Sequence, residues 1–191
     1  MKSFRKEFST ITIVLIPVAI AINIAVGQLV LSLKLPLYLD SIGTVMVGVL
    51  VGPWAGALTG FLANFVWTLS GLFPQAIAWA GVGAIIGALA GVFGREGWVK
   101  TPRKAILAGL ITGVVAAVLS APIAAYVFGG VTGAGTDAVV GLFRAAGLDA
   151  LGANMAQGAV SEPIDKVATY LIVWAVMMGL PQRFIARFSN D

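Results

Sequence analysis

Three polar or aromatic residues in the first half of the chain have the chemistry to bind a small molecule. Asp40 opens one apolar run, and Asn64 and Trp67 lie about one helical turn apart near the end of the next. A carboxylate accepts hydrogen bonds from amines and hydroxyls. An amide beside an indole suits a planar heterocycle, because it can hydrogen-bond while the indole stacks. We therefore expect these side chains to bind a ligand, together with Gln75 and Trp79.

Each of these five side chains also has a structural interpretation. Asp40 could cap the helix that starts beside it, since aspartate is a favoured N-cap residue. Asn64 could form a hydrogen bond between helices, and Trp67 could belong to an aromatic belt at a membrane interface. Gln75 and Trp79 present the same choice between a ligand and the interface. The sequence leaves these alternatives open.

A second polar group, of three charged residues, lies further along the chain. Glu162 and Lys166 are four residues apart, which places them on one face of a helix and predicts an ion pair. Asp165 would then remain free, so it is the better ligand candidate of the three.

Histidine and cysteine are both absent from the 191 residues, which limits the chemistry available to the chain. Histidine is the commonest general base and metal ligand, and cysteine forms disulfides and thiolate metal sites. The glycine-rich run 129–137 lacks the Gly-Lys-Ser/Thr ending of a phosphate loop. We therefore expect a protein that is not an enzyme and that has neither a metal nor a cofactor.

The composition is that of an integral membrane protein. Hydrophobic residues make up 59% of the chain and charged residues 10%, and the mean hydropathy is +0.99. A soluble domain has about 25% charged residues. We expect one all-α membrane domain that covers residues 1–191. The net charge of +4 comes from few and scattered residues, so it does not indicate a nucleic-acid partner.

Six segments approach the length of about 20 mostly apolar residues that a helix needs to cross a bilayer. They are residues 8–32, 37–52, 54–72, 75–94, 104–127 and 163–181. With six spans, both termini and the second and fourth connections lie on one side, which then holds nine of the 12 basic residues. The positive-inside rule places this side, and both termini, in the cytoplasm.

In this orientation the polar residues of the spans lie in the outer halves, whereas the inner halves are almost entirely apolar. An open channel needs a continuous wet path, so the pattern favours a pocket that opens outward and is closed below. The long external connection between the fifth and sixth spans, 128–161, is interpreted as a lid. A helix of about 15 residues would begin there at Thr136 or Asp137, and Asn154 and Gln157 would face the ligand.

Small residues recur four apart on two of the predicted spans. Gly83, Gly87 and Gly91 are expected to pack against another helix of the chain, because small residues let two backbones approach closely. Ala21 and Ala25 on the first span have two interpretations, which are packing within the chain and contact with a partner subunit.

The basic N-terminus, the six short spans and the run LYLDSIGTVMVGVLVGPWAGALTGFLANFVW resemble the substrate-binding S components of energy-coupling factor transporters. The resemblance covers essentially the whole chain, and its more specific parts are DSIGT at 40–44 and GPWAG at 52–56. In that family an Ala-x-x-x-Ala motif on the first helix docks a membrane-embedded coupling subunit. Ala21 and Ala25 match this motif.

The resemblance implies a subunit of an ATP-driven importer in the plasma membrane of a bacterium or archaeon. The S component binds a vitamin or similar micronutrient near the outer face and topples in the membrane to deliver it inward. Its partners are the coupling subunit and two cytoplasmic ATPases. The outer Trp, Asn, Gln and Asp residues favour a neutral or cationic heterocycle over a polyanion.

Two other functions fit the same composition. One is a membrane sensor or assembly module, and the other is a solitary secondary transporter that works without a coupling subunit. Such a transporter normally has ionisable residues near the membrane midplane and a larger repeat architecture, which this sequence does not show. Co-purification of a coupling subunit and an ATPase pair would discriminate among these functions.

Overall fold

The computed structural model describes residues 7–189, and over this range the chain is helical and contains no strand. The all-α prediction is confirmed for this part of the chain. Short 3₁₀ turns cover Pro74–Trp79 and Trp98–Lys100. The α-helices, numbered in chain order, are α1 Thr10–Ser32, α2 Ile42–Val51, α3 Pro53–Leu69, α4 Ala80–Arg95, α5 Pro102–Phe128, α6 Asp137–Ala145, α7 Ala150–Gly179 and α8 Gln182–Ser189.

Several helical segments are suited to a membrane. Thr10–Ser32, Pro74–Arg95 and Pro102–Phe128 are long and apolar enough to cross one, judged by length and composition. Ala150–Gly179 and Gln182–Phe188 meet the same criterion only as a pair, and they are bent by 115° at their junction. The described residues therefore supply three or four candidate spans of a membrane-embedded protein. The six-span topology and its direction stay predictions.

The short helix α2 lies in the middle of the bundle and packs against α1, α3, α4 and α7. It ends at Gly52, which has a φ of 145°, a backbone conformation that glycine adopts readily and other residues rarely do. Pro53 begins α3 directly after it. Val45 joins an apolar cluster with α4, α5 and α7, whereas Val47 and Leu50 join a second cluster with α1 and α8. These contacts hold the start of α2, and the connection that leads into it, at the centre of one end of the molecule.

The helices α3 and α4 pack through glycines, as the small-residue spacing predicts. A Cβ atom added at Gly87 would lie 2.0 Å from the Gly56 carbonyl oxygen, and one at Gly60 would lie 2.0 Å from the Gly83 carbonyl oxygen. Only glycine allows the two backbones to approach this closely. The glycines on α4 therefore serve packing within the chain.

The segment between α5 and the end of α7 differs from the prediction. The helix of about 15 residues expected from Thr136 or Asp137 ends at Ala145, because Gly147 adopts a positive φ of 96° and Asp149 caps a new helix. That new helix, α7, runs without interruption through Pro163, which was expected to lie in a first turn. The predicted start of the last helix at residue 163 is therefore wrong.

The helices α5 and α7 approach each other closely beside Pro163. A Cβ atom added at Gly113 of α5 would lie 2.5 Å from Pro163 Cα, so glycine lets the two backbones approach closely at this point. A second glycine, Gly109, meets the backbone of Val167 one turn further along in the same way. The result is a long α7 that delivers its first half to the same end of the bundle as the start of α2.

Candidate ligand-binding site

A cavity of about 110 Å³ lies at this end of the bundle. Its walls come from the C-terminal halves of α1, α3 and α5 and from the N-terminal halves of α2, α4 and α7. The connections before α2, before α4 and before α6 also contribute. For comparison, a cavity of about 150 Å³ in another protein binds benzene, so this space has the scale of a single ring.

Five of the side chains proposed from the sequence line this cavity. They come from regions far apart in the chain, which antiparallel helices bring to one end of the bundle. The five are Asp40, Asn64, Trp67, Trp79 and Asn154, and Gln157, which was expected to face the ligand beside Asn154, lines the cavity as a sixth.

Two of the proposed side chains, Gln75 and Asp165, do not line the cavity. The Gln75 amide instead donates a hydrogen bond to the Thr132 carbonyl oxygen, in the connection between α5 and α6. Lys34 fixes the same connection, because its Nζ donates to the Gly133 carbonyl oxygen at 2.6 Å. Gln75 therefore holds a segment that covers the cavity.

Asp165 is fully buried and fully bonded, so the expectation that it would remain free is wrong. Its Oδ1 accepts hydrogen bonds from the backbone N–H groups of Tyr38 at 2.9 Å and Leu39 at 2.7 Å. Its Oδ2 lies 2.5 Å from Lys166 Nζ. The expected Glu162–Lys166 pair is present at 3.3 Å, but the lysine also reaches its sequence neighbour.

The bonds to Asp165 position the connection in front of the cavity. Leu39 has a φ of 50°, a conformation that is uncommon for a non-glycine residue and costs energy. The two hydrogen bonds at Tyr38 and Leu39 hold the backbone in this form. Asp165 is therefore a positioning residue that fixes the segment carrying Tyr38 and Asp40.

Lys166 is the residue that sequence reasoning missed as part of the cavity wall. Its side chain is only 2% exposed, and its Nζ lies 5.8 Å from the centre of the Tyr38 ring. Lysine is almost never this buried unless it is paired. The available signal was its position inside an apolar segment, where ionisable residues usually mark a site.

Asp40 has a different environment from Asp165. The residue that precedes α2 is Ser41, so Asp40 is not its cap. Within residues 7–189 its carboxylate has no ion pair and no hydrogen bond to another residue. Asp40 belongs to the connection before α2, and burial raises the pKa of its carboxyl group, while the nearby Lys166 charge opposes this shift.

The aromatic side chains form an inner wall of the cavity. Trp67 is 5% exposed and its Nε1 donates to Gln28 Oε1 at 3.2 Å, so the aromatic-belt interpretation does not apply to it. Its ring lies 5.4 Å from that of Phe73. Trp79 stacks on Phe128 with ring centres 5.1 Å apart.

The amides and hydroxyls around the cavity are partly committed to the protein. Asn64 donates to the Gly60 carbonyl oxygen at 3.1 Å, and Asn154 donates to the Ala150 carbonyl oxygen at 2.9 Å. Each bond joins two residues of the same helix, α3 for Asn64 and α7 for Asn154, and uses one N–H of the amide. Asn154 lies on α7 itself and not on a separate lid.

A short chain of hydrogen bonds crosses the mouth of the cavity. Gln157 Nε2 donates to the Tyr38 hydroxyl, which donates in turn to Thr136 Oγ1, both at 3.3 Å. Gln157 and Asn154 line the cavity, as was expected of them, but both belong to α7 and their placement on a separate lid is wrong. The chain of bonds links the connections before α2 and α6 to α7.

The arrangement is suited to binding and shows no cluster for metal chemistry in the part of the chain that the structure describes. The chain matches no protein-family model, and no curated protein or solved structure shows significant similarity to it. The cavity and its side chains therefore carry the functional argument.

Proposed function

We propose that the protein is the substrate-binding membrane subunit of an energy-coupling factor type importer for a vitamin-like micronutrient. The observation that carries this proposal is the cavity, which has polar and aromatic walls drawn from α1 to α5 and α7 and is covered by connections. Ligand sites of small molecules have this character, with an apolar surround and a few placed polar groups. The protein binds and hands over its ligand without chemistry of its own.

The packing at the opposite end of the bundle supports a site that a ligand reaches from the cavity end only. The buried Glu7 carboxylate accepts a hydrogen bond from the Ala55 N–H at 2.9 Å and pairs with Arg95. Gly52 leaves room for this carboxylate beside it. Below the cavity the interior is filled by apolar clusters, so a ligand would enter and leave at the cavity end.

In this proposal the chain crosses the membrane six times, with both termini in the cytoplasm and the cavity near the outer face. The distribution of basic residues supports this direction. The chain would run inward through the short α2 and back outward through the 17-residue α3, and the two helices are joined at Gly52 and Pro53. The membrane would be the plasma membrane of a bacterium or archaeon.

The proposed partners are a membrane-embedded coupling subunit and two cytoplasmic ATPases. Ala21 and Ala25 lie on an exposed face of α1, together with Val14, Val18 and Leu29. Between them, Asn23 points inward, where it donates to Thr44 Oγ1 at 2.8 Å. The alanine face is thus available for a neighbouring helix.

Co-purification tests this proposal. The tagged full chain, isolated from membranes of its own host, should retain a coupling subunit and an ATPase pair. Replacing Ala21 and Ala25 together by leucine should abolish this retention, because bulky side chains block close helix approach. Val114→Leu, at an exposed position of α5 away from this face, serves as the control and should retain the partners. Recovery of the chain without any ATPase would contradict the proposal and favour a sensor or a solitary transporter.

A further inference from the structure

The charges around the cavity do not balance. Three carboxylates, those of Asp40, Glu162 and Asp165, surround one ammonium group, that of Lys166. A fourth carboxylate, that of Asp137, lines the cavity but accepts hydrogen bonds from the backbone N–H groups of Thr132 and Gly133. Asp165 is satisfied by Lys166 and by two backbone N–H groups. The ammonium group is therefore committed first to Asp165, and two carboxylates on the cavity wall are left with too little positive charge.

Neither of these two carboxylates has a full set of partners. Glu162 is 5% exposed, and its Oε2 lies 3.3 Å from Lys166 Nζ without forming a hydrogen bond. Asp40 has no ion pair among the described residues. Glu162 shares its only ion-pair partner with Asp165, and the half-buried Asp40 has no ion pair, so a cation bound at this cavity would supply the positive charge that both carboxylates lack.

A second and independent feature of the cavity points to a ligand. The Ser41 hydroxyl is 95% buried, lines the cavity and has no hydrogen-bond partner. Buried hydroxyls are normally paired, and Ser41 stands next to Asp40 in the chain. A ligand group that donates hydrogen bonds to both would satisfy them together.

We propose that the ligand carries a protonated nitrogen, which binds between Asp40 and Glu162 and donates a hydrogen bond to Ser41. This inference rests on the proposed binding function and narrows it to cationic compounds of about one ring. The indoles of Trp67 and Trp79 on the cavity wall favour a flat ring beside the charged nitrogen. A metal ion is not favoured, because the described residues offer no cluster that could coordinate one.

Three probes of equal size and different charge test the inference. Benzylamine, which is protonated at neutral pH, benzyl alcohol and benzoate are added separately to the purified full chain in detergent, and dissociation constants are measured by calorimetry or thermal shift. We expect benzylamine to bind at least about tenfold more tightly than benzyl alcohol, and benzoate to bind least. Equal binding of the three, or a preference for benzoate, would overturn the inference.

Isosteric variants of the two carboxylates test which residues cause the preference for benzylamine. Asp40→Asn and Glu162→Gln should each reduce the preference for benzylamine over benzyl alcohol by about tenfold, and a cooperative thermal melt of each variant shows that it is folded. Glu96→Gln, an exposed residue at the far end of α4, is the control and should change neither. An unchanged preference in both cavity variants would contradict the assignment.

The identity of the natural ligand distinguishes a failure of this inference from a failure of the proposed function. A co-purified micronutrient with a basic nitrogen supports both. A co-purified micronutrient without one overturns the inference and leaves the binding function intact. A chain that holds no compound and responds to no probe overturns both.

Discussion

Asp40 and Asp165 are aspartates at the same end of the molecule, yet their surroundings are opposite. Asp165 is held by Lys166 and by two backbone N–H groups, whereas Asp40 faces the cavity without an ion pair among residues 7–189. A side chain kept for structure should have its partners within the protein. A side chain kept for a ligand should lack one until the ligand arrives.

The two aspartates should therefore respond differently to the same substitution. Asp165→Asn leaves Lys166 with a weaker partner and should lower the free energy of unfolding by about 3–5 kcal/mol. Asp40→Asn removes a half-buried charge that has no ion pair among the described residues, and it should raise the free energy of unfolding by about 1 kcal/mol in the ligand-free protein. Thermal melts of both variants in the same detergent provide the measurement. A destabilised Asp40→Asn would show that Asp40 has a structural role.

The pH dependence follows from the environment of Asp40. Burial raises the pKa of its carboxyl group, so the folded protein takes up a proton there at a higher pH than the unfolded chain does. The contribution of Asp40 to stability therefore falls as the pH rises through this pKa. Binding of a cation has the opposite dependence, because it needs the ionised form.

Calorimetric titration of benzylamine over a pH series checks this sign. Affinity should weaken as the pH falls, and Asp40→Asn should remove the part of the slope that belongs to Asp40. Three charged groups face Asp40 and remain in the variant, namely Lys166, Asp165 and Glu162. The pH dependence of affinity that persists in Asp40→Asn therefore belongs to them. Affinity for benzylamine that rises on acidification would contradict the account.

At the scale of elements, the glycine contact between α3 and α4 gives a direct test of packing. Gly87→Ala would place a methyl group 2.0 Å from the Gly56 carbonyl oxygen, so the helices must separate. We expect a loss of about 1–3 kcal/mol in the free energy of unfolding. Gly81→Ala on the same helix is the control, because nothing lies within 4 Å of the added atom. Equal stability of the two variants would exclude a tight α3–α4 contact.

The bounds of the helices were predicted best where a single physical rule determines them. Apolar length and proline positions placed α1, α3 and α5 within a few residues, and the spacing of Gly83 and Gly87 predicted a packing face. The break between α6 and α7 was missed because it depends on the positive φ of Gly147, and the continuous course of α7 through Pro163 was missed because α7 packs there against the backbone of α5 at Gly113. Such contacts between distant segments leave no periodic signal in one sequence.

The same limit applies to the site. The side-chain types predicted that Asp40, Asn64 and Trp67 would lie together, and the structure brings them to one cavity. The pairing of Asp165 was not predictable from spacing, since its partners include the backbone of Tyr38 and Leu39, more than a hundred residues away. A helical spacing rule describes only neighbours on the same helix.

At the scale of the whole molecule, the proposed topology can be tested without first removing native thiols, because the chain contains no cysteine. Single cysteines at Leu72 and Val131, exposed positions in connections at the cavity end, should react with a membrane-impermeant maleimide in intact cells. A cysteine at Glu96, an exposed position in the connection after α4, should react only after the cells are opened. The reverse pattern would contradict the proposed direction.

The central claim is that the cavity holds a small molecule. Native mass spectrometry of the detergent-purified full chain tests it most directly, by releasing and identifying whatever the protein carries. We predict one vitamin-like compound per chain, lost from Asn64→Leu, whose larger apolar side chain enters the cavity, and kept by Tyr126→Phe, an exposed position outside it. A chain that carries no compound, or one that Asn64→Leu still holds at full stoichiometry, would contradict the account.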